Sequence, residues 1–340
     1  MTAALALPEA ELAAYLEAHL PGFRGPLRAG KFKGGQSNPT YRLDTASGAY
    51  VLRRKPPGQL LASAHAVDRE FRVLRALHGS AVPVAQPLLL CTDEGVIGSM
   101  FYVMQFVAGR VYWDPALPEL APDQRGAVYA EIMRVLAALH AIDPAAVGLG
   151  DYGKPGNYFA RQVGRWTEQY RAAETGPIEA MERLIAWLPA HCPPDDGRVA
   201  LVHGDFRIDN LMFEATAPRV LAVVDWELST LGQPMADLAY FCMALRLPRN
   251  PVIPGLAGLD RVALGIPDEA ALIAQYRAHG GRLEEAHWRF CLAFNFFRLA
   301  AIAQGVARRA AQGNASSEMA RTTGNMAGPI AAQGCEVLGL

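Results

Sequence analysis

The sequence has little that would commit it to a charged partner. Its 340 residues carry 32 Lys+Arg against 33 Asp+Glu, a formal net charge of -1, and no long block of one sign. Neither a nucleic acid nor an anionic membrane is therefore expected as a partner. Cysteine is scarce: Cys91, Cys192, Cys242, Cys291 and Cys335 lie far apart with no CxxC, which suits free thiols in a reducing compartment and excludes a disulfide framework. Nor does any apolar run reach the roughly 18 residues of a membrane span. The start, "MTAALALPEAELAAYLEAHLPG", sets Glu9, Glu11 and Glu17 where a signal peptide needs an unbroken apolar segment, and it reads as a short amphipathic helix after Pro8. The expected location is cytoplasmic. Repeats and low-complexity segments are missing too.

What is present is core. With 51% hydrophobic residues the chain can bury a large interior, and its length suits two lobes. From about Gly25 to Val107 the signals are strand-like around one helix. "RAGKFKGGQSNPTYRLDT" sets a glycine pair between short segments, "ASG" turns into "AYVLRRK", and "VAQPLLLCTDEGVIGSMFYVMQFV" returns to strand character. Between them, Val67, Phe71, Leu74 and Leu77 fall on one helical face. After "AGR" long helical patterns take over, in "DQRGAVYAEIMRVLAALHAID" and "AHWRFCLAFNFFRLAAIAQGVARRAA", separated by the short β-like pair "ALVHGDF" and "VLAVVDWE". The expectation is an α+β protein with an N-terminal helical extension (1–24), a small β-rich lobe (25–107) and a larger, mainly helical lobe (108–340).

The stretch "LVHGDFRIDNLMF" concentrates charge in what otherwise reads as core. Asp205 precedes Asn210 by five positions, and Asp225, in "AVVDWE", follows Asp205 by twenty. Apolar strand residues flank both acids, so a rigid scaffold would present them at strand ends. Carboxylate and amide oxygens in this arrangement suit a hard cation such as Mg2+. Any one of these acids alone is more often a capped turn or a surface ion pair; the joint spacing is what singles them out.

The spacing H-x-D-x-x-x-x-N followed by a strand-end aspartate resembles the kinase catalytic loop and its metal-binding aspartate, and "HGD" with "DWE" resembles the aminoglycoside phosphotransferase branch. The wording "HGDFRIDNLMF", "VVDWELSTLGQPMADLAY" and "AVDREFRVL" is most similar to the kinase-like domain fused to some acyl-CoA dehydrogenases. The resemblance implies a two-lobed protein-kinase-like fold. It gives Asp205 the proton of the substrate hydroxyl, Asn210 and Asp225 the Mg2+, His203 the bracing of the loop, and Asp237 structural support of that loop from a helix start.

In the small lobe, Gly34 and Gly35 of "FKGGQSNPTY" could let backbone N–H groups approach phosphates, though a plain hairpin turn explains them as well. Glu70 falls on the apolar face of its helix, where an unpaired carboxylate is costly, so a cationic partner is expected. The resemblance places that partner at Arg53, where relatives have lysine, with Lys55 in reserve; either would also contact nucleotide phosphates. It further makes "FYVMQFVAGR" the hinge, with Met104 behind the adenine and the main chain of Gln105 and Val107 bonded to the base.

The functional expectation is a small-molecule kinase that moves the γ-phosphoryl of ATP or GTP, with Mg2+, onto a hydroxyl. The absence of a long activation segment or A-P-E argues against protein substrates. The resemblance implies a hydroxyacyl-CoA or hydroxy acid as acceptor and a functional link to an acyl-CoA dehydrogenase; an aminoglycoside, choline or sugar is the alternative. Arg298, Arg308 and Arg309, unaccompanied by acids in the last long apolar helix, tilt the acceptor towards an anion. Two other readings compete. A metal-dependent phosphohydrolase would use His203 and Asp205 as ligands, but the other histidines lack ligand spacing. A nucleotide-binding pseudokinase or scaffold is disfavoured by the presence of base and metal ligands together.

Overall fold

The computed structural model describes residues 6–32, 38–56, 66–250, 252–311 and 318–340. In chain order the described residues form α1 (Glu9–His19), β1 (Leu27–Lys31), β2 (Thr40–Thr45), β3 (Gly48–Arg54), α2 (Val67–Leu77), β4 (Pro87–Cys91), β5 (Phe101–Gln105) and β6 (Arg110–Val111). There follow α3 (Pro122–His140), α4 (Tyr158–Ala173), α5 (Glu179–Ala190), β7 (Ala200–Val202), β8 (Leu211–Phe213), β9 (Val220–Val223) and β10 (Thr230–Gly232). The chain ends in α6 (Pro234–Met243), α7 (Glu269–Ala278), α8 (Trp288–Ala311), α9 (Glu318–Asn325) and α10 (Ala327–Leu338). Two compact units result: residues 1–110 with 211–229, and residues 111–210 with 230–340. The first unit thus takes back a stretch, 211–229, that the sequence reading leaves in the larger lobe, because β8 and β9 pair with each other and Val223 N–H bonds to Pro83 C=O at 2.8 Å.

The first unit is built on an antiparallel sheet of order β1-β2-β3-β5-β4. Successive strand residues face opposite sides, and the sequence uses both. Tyr41, Leu43, Leu52, Phe101 and Val103 meet Leu12 and Leu16 of α1 in one buried cluster. The burial of each such side chain contributes about 1.5–3 kcal/mol. Arg53 and Tyr102, which pair across β3 and β5, face the other way, towards α2. That helix packs on β4 and β5 through Phe71, whose ring lies 5.9 Å from that of Tyr102. Its apolar spacing carries one exception, Glu70, buried with the rest.

The second unit is helical around α8. Residues 290–301 of this helix are buried on every side, and it packs against α4, α5, α6, α9 and α10. By length and composition the segment Glu285–Ala311 could cross a membrane, but most of it is buried inside the protein, the condition of a core helix that is hydrophobic all round. The two β-like segments expected as a pair do not pair with each other. β7 finds β10, with Leu201 opposite Leu231, while β9 finds β8. All five cysteines are free thiols.

Candidate active-site residues

In the helical unit, β7 delivers the chain into "HGDFRIDN". Gly204 adopts a left-handed φ of 81°, which a residue without a Cβ takes without strain. That turn aims two successive N–H groups at one acceptor: His203 N–H and Gly204 N–H donate to the two oxygens of Asp237 at 2.6 and 2.9 Å. Asp237 sits in the first turn of α6, is 1% exposed, and also meets His140 Nε2 at 3.4 Å. Burial alone would raise its carboxyl, but the contacts with His140 and His203 outweigh it and hold the group below the usual carboxylate range. His203 is fully buried, and its Nδ1 accepts from Asp205 N–H at 3.2 Å. A ring held this way braces the loop; it is not presented to a metal.

Asp205 is half-buried. Asn210, closing a one-turn 3-10 helix over Ile208–Asn210, donates from Nδ2 to the carbonyl of Asp205 at 2.9 Å and to its Oδ2 at 3.0 Å. The buried phenol of Tyr240 stands beside the same carboxylate; its own burial first, and then Asp205's charge, push it well up, so it stays protonated. With the nitrogen of Asn210 committed to Asp205, its amide oxygen is the atom left to face a cation.

Two residues of this unit, Arg207 and Tyr240, escaped the sequence reading, and a third, Arg298, has another role than the one read for it. Arg207 forms a two-pronged pair with Asp209, at 2.9 and 2.6 Å. Tyr240 was passed over three residues beyond Asp237 in "ADLAY". Arg298, read from the sequence as a pointer to an anionic acceptor, is 6% exposed, donates to Gly204 C=O, and its guanidinium lies 5.4 and 5.2 Å from the rings of Trp166 and Tyr240, within cation–π range. A charge between Phe297 and Leu299 on a helix apolar all round was the available signal. Arg308, for its part, bonds the carbonyl of Glu174 at 3.2 Å. Arg298 and Arg308 therefore no longer argue for an anionic acceptor.

In the β-rich unit, Arg53 joins three carboxylates. Its Nε lies 2.9 Å from Glu70 Oε2, and its Nη2 lies 2.6 Å from Asp225 Oδ1 and 3.8 Å from Glu227. Of the two candidate partners for Glu70, the ion pair falls to Arg53. Arg53 lies within β3, whereas Lys55 follows the strand's last residue; Arg54, between them, points to the opposite face and donates to Ser99 Oγ and Ile97 C=O at 2.9 Å each. Burial disfavours the guanidinium's charge, yet Glu70, Tyr102, Asp225 and Glu227 outweigh it and raise its pKa further. Glu70 also accepts from Asn38 Nδ2 at 2.7 Å and Tyr102 O–H at 3.3 Å, two partners the sequence did not suggest. Burial dominates its titration and pushes the carboxyl up to about 7, against the pull of Arg53.

Asp225 ends β9 in the left-handed region, φ 65°, a conformation that is uncommon outside glycine, is better tolerated by Asp than by bulkier residues, and recurs at functional sites. One of its oxygens is bound to Arg53 and its side chain is 41% exposed, so the other can meet a cation. Asp225 and Asn210 each offer a hard oxygen, the donor type Mg2+ takes. Among the described residues no cluster of three or more His, Cys, Asp or Glu could hold a metal alone.

At the expected hinge, Met104 is half-buried in β5 opposite Val51. Gln105 N–H bonds Gln86 C=O at 2.9 Å, and Val107 follows the strand, half-buried. Gly34 and Gly35 lie outside the described residues.

A five-stranded antiparallel sheet with its helix in one unit and a mainly helical unit carrying the "HGD" loop define a protein-kinase-like α+β fold, that of the aminoglycoside phosphotransferases. Residues 29–273 match the phosphotransferase enzyme family, APH, and the chain belongs to that family; it is a kinase-type enzyme that acts on a hydroxyl group. A solved structure from Ralstonia eutropha JMP134, carrying the name of an aminoglycoside phosphotransferase, is 50% identical, covers 98% of either chain and superposes with a TM-score of 0.89. Acyl-CoA dehydrogenase family member 10 of Mus musculus is 48% identical over 324 residues, 95% of this chain. The chain spans 30% of that relative's length. Aminoglycoside phosphotransferase APH(4)-Ia, in a ternary complex with ADP and hygromycin B, shares the fold at 16% identity and a TM-score of 0.61, over 97% of this chain and 98% of its own.

Proposed function

We propose that the chain transfers the γ-phosphoryl group of ATP or GTP, with Mg2+, to a hydroxyl of a small molecule, and that the acceptor is a hydroxyacyl-CoA or related hydroxy acid. The observation that carries the reaction is the Asp205–Asn210 contact. A carboxylate whose Oδ2 is held by Asn210 and which is steadied by Tyr240 has its remaining acceptor capacity aimed by the loop. It takes the proton of the acceptor hydroxyl as that oxygen attacks the γ-phosphorus. Asp237, His203 and Arg298 hold the loop so that this geometry is set before the acceptor arrives, and positioning is most of what phosphoryl transfer asks of a protein.

Arg53, kept on Glu70 by Asn38 and Tyr102, supplies a buried cation suited to nucleotide phosphates. Gly34 and Gly35 are assigned to the phosphate loop, and Met104, Gln105 and Val107 to the base. Asn210 and Asp225 are the Mg2+ ligands in this reading, and the ion would neutralise charge on the transferring oxygens. ADP in a relative of the same fold supports a nucleotide donor, and the likeness to a segment of an acyl-CoA dehydrogenase family member supports the acyl acceptor and a functional link to such a dehydrogenase.

The test is a panel of hydroxyl acceptors, hydroxyacyl-CoAs and aminoglycosides among them, incubated with γ-labelled ATP or GTP and the purified chain. Label in a hydroxyacyl product, lost in Asp205→Asn, is expected. Efficient labelling of aminoglycosides with hydroxyacyl-CoAs ignored would overturn the acceptor assignment.

A further inference from the structure

Within the helical unit, a cleft opens beside the loop that carries Asp205, with Arg207, Ile208 and Asp209 of that loop in its lining. It opens to solvent and is walled chiefly by Tyr129, Phe241, Met243, Leu256 and Leu299. Two features tie it to the reaction centre. Tyr240 forms part of its wall, and so does Ile208, midway between Asp205 and Asn210 in the catalytic loop.

The charge of the cleft is as informative as its position. Among the described residues its charged lining is Arg207 and Asp209, and these neutralise each other through two hydrogen bonds. A polycationic acceptor would find one carboxylate, already occupied. An aliphatic chain would find aromatic and branched apolar walls whose contact removes hydrocarbon from water. Trp113 stands at the rim, 68% exposed, where a bound chain would cover it.

We infer that this cleft is the acceptor subsite and holds the unbranched hydrocarbon chain of a hydroxylated acyl acceptor, with the hydroxyl passing Tyr240 to reach Asp205. The inference rests on Asp205 being the acceptor's base. Chain-length preference is then set by the cleft's depth, and Ala244, half-buried with its methyl among the lining residues, is the position where added bulk enters it.

Ala244→Phe, with Ala244→Leu as a milder variant in case the larger ring disturbs the fold, is compared with the parent in two arms. In the first, sodium decanoate is titrated into the full chain while tryptophan fluorescence is followed. The parent gives a saturable change that Trp113→Phe removes, and Ala244→Phe weakens binding about ten-fold or more, the loss that follows when a few methylenes forfeit burial. In the second, the ratio of kcat/KM for a long-chain hydroxyacyl acceptor to that for its shortest homologue falls by a similar factor, in proportion to the bulk added. Decanoate that fails to bind, or binds equally to all variants, overturns the subsite. Turnover with unaltered chain-length dependence overturns it as well and leaves phosphoryl transfer standing. Chain binding with no phosphorylated product from any hydroxyl sinks the reaction itself, and the acceptor assignment with it.

Discussion

Asn210 donates from one side-chain nitrogen to both the main-chain carbonyl and the carboxylate of Asp205, at 2.9 and 3.0 Å. In the proposed reaction the residue assigned to Mg2+ is thus also the one that fixes the rotamer of the proposed base. Asp205→Asn should lower kcat by about 10²–10⁴, the usual weight of a positioned general base. Because Asp205 is half-buried and keeps Asn210 as a neighbour, the thermal midpoint should stay close to that of the parent. Initial rates of ADP release with a phosphorylated acceptor measure it; a variant as fast as the parent would remove Asp205 from the mechanism.

The Arg53–Glu70 pair predicts coupled stability. Arg53→Met leaves a carboxylate that is 3% exposed without its cation, a loss of about 3–5 kcal/mol. Glu70→Gln in the same chain should recover part of this, because a neutral amide can keep the contacts with Asn38 and Tyr102. Urea unfolding of the parent, both single variants and the double variant gives the coupling. Simple additivity of the two losses would mean that the pair does not act as one.

Asp237 predicts an acid limb. Its carboxyl lies below the usual range when folded, so the unfolded chain binds the proton more readily. The stabilisation is fully present above the unfolded value of about 3.9 and is lost as pH falls through the folded one. Unfolding free energy from pH 7 down to 3 should therefore fall more steeply below about pH 4 in the parent than in Asp237→Asn. The variant should be less stable at neutrality by about 3 kcal/mol or more, since two backbone N–H groups and His140 lose a charged acceptor. Equal acid slopes in the two proteins would contradict this.

Metal removal tests the assignment of Asn210 and Asp225. Turnover should cease in EDTA and return on adding Mg2+. Asp225→Asn should need about ten-fold more Mg2+ for half-maximal rate, because a neutral oxygen replaces an anionic ligand. Full activity in the chelator would exclude the metal role for both residues.

Much of the fold was readable because it is local. The helix over Val67–Leu77 followed from apolar spacing, and Glu70 stood out as the one carboxylate on that face, enough to demand a cation before any contact was known. Arg298 shows the limit. Read along the chain it pointed to an anionic acceptor; folded, it lies between the rings of Trp166 and Tyr240 and caps Gly204 C=O. Nothing in the residues around it specifies partners 58 to 132 positions away.

By itself the sequence determined the α+β class, the order of the elements and the family motifs, because hydrophobic periodicity and short motif spacing are written in consecutive residues. Only the tertiary structure decided that Arg53 and not Lys55 meets Glu70, that 211–229 returns to the β-rich unit, that Arg298 serves the loop, and that an apolar cleft with a self-neutralised ion pair in its lining opens beside the loop of Asp205. Each of these depends on which faces of distant segments meet, and that is fixed by packing and strand register across the whole chain.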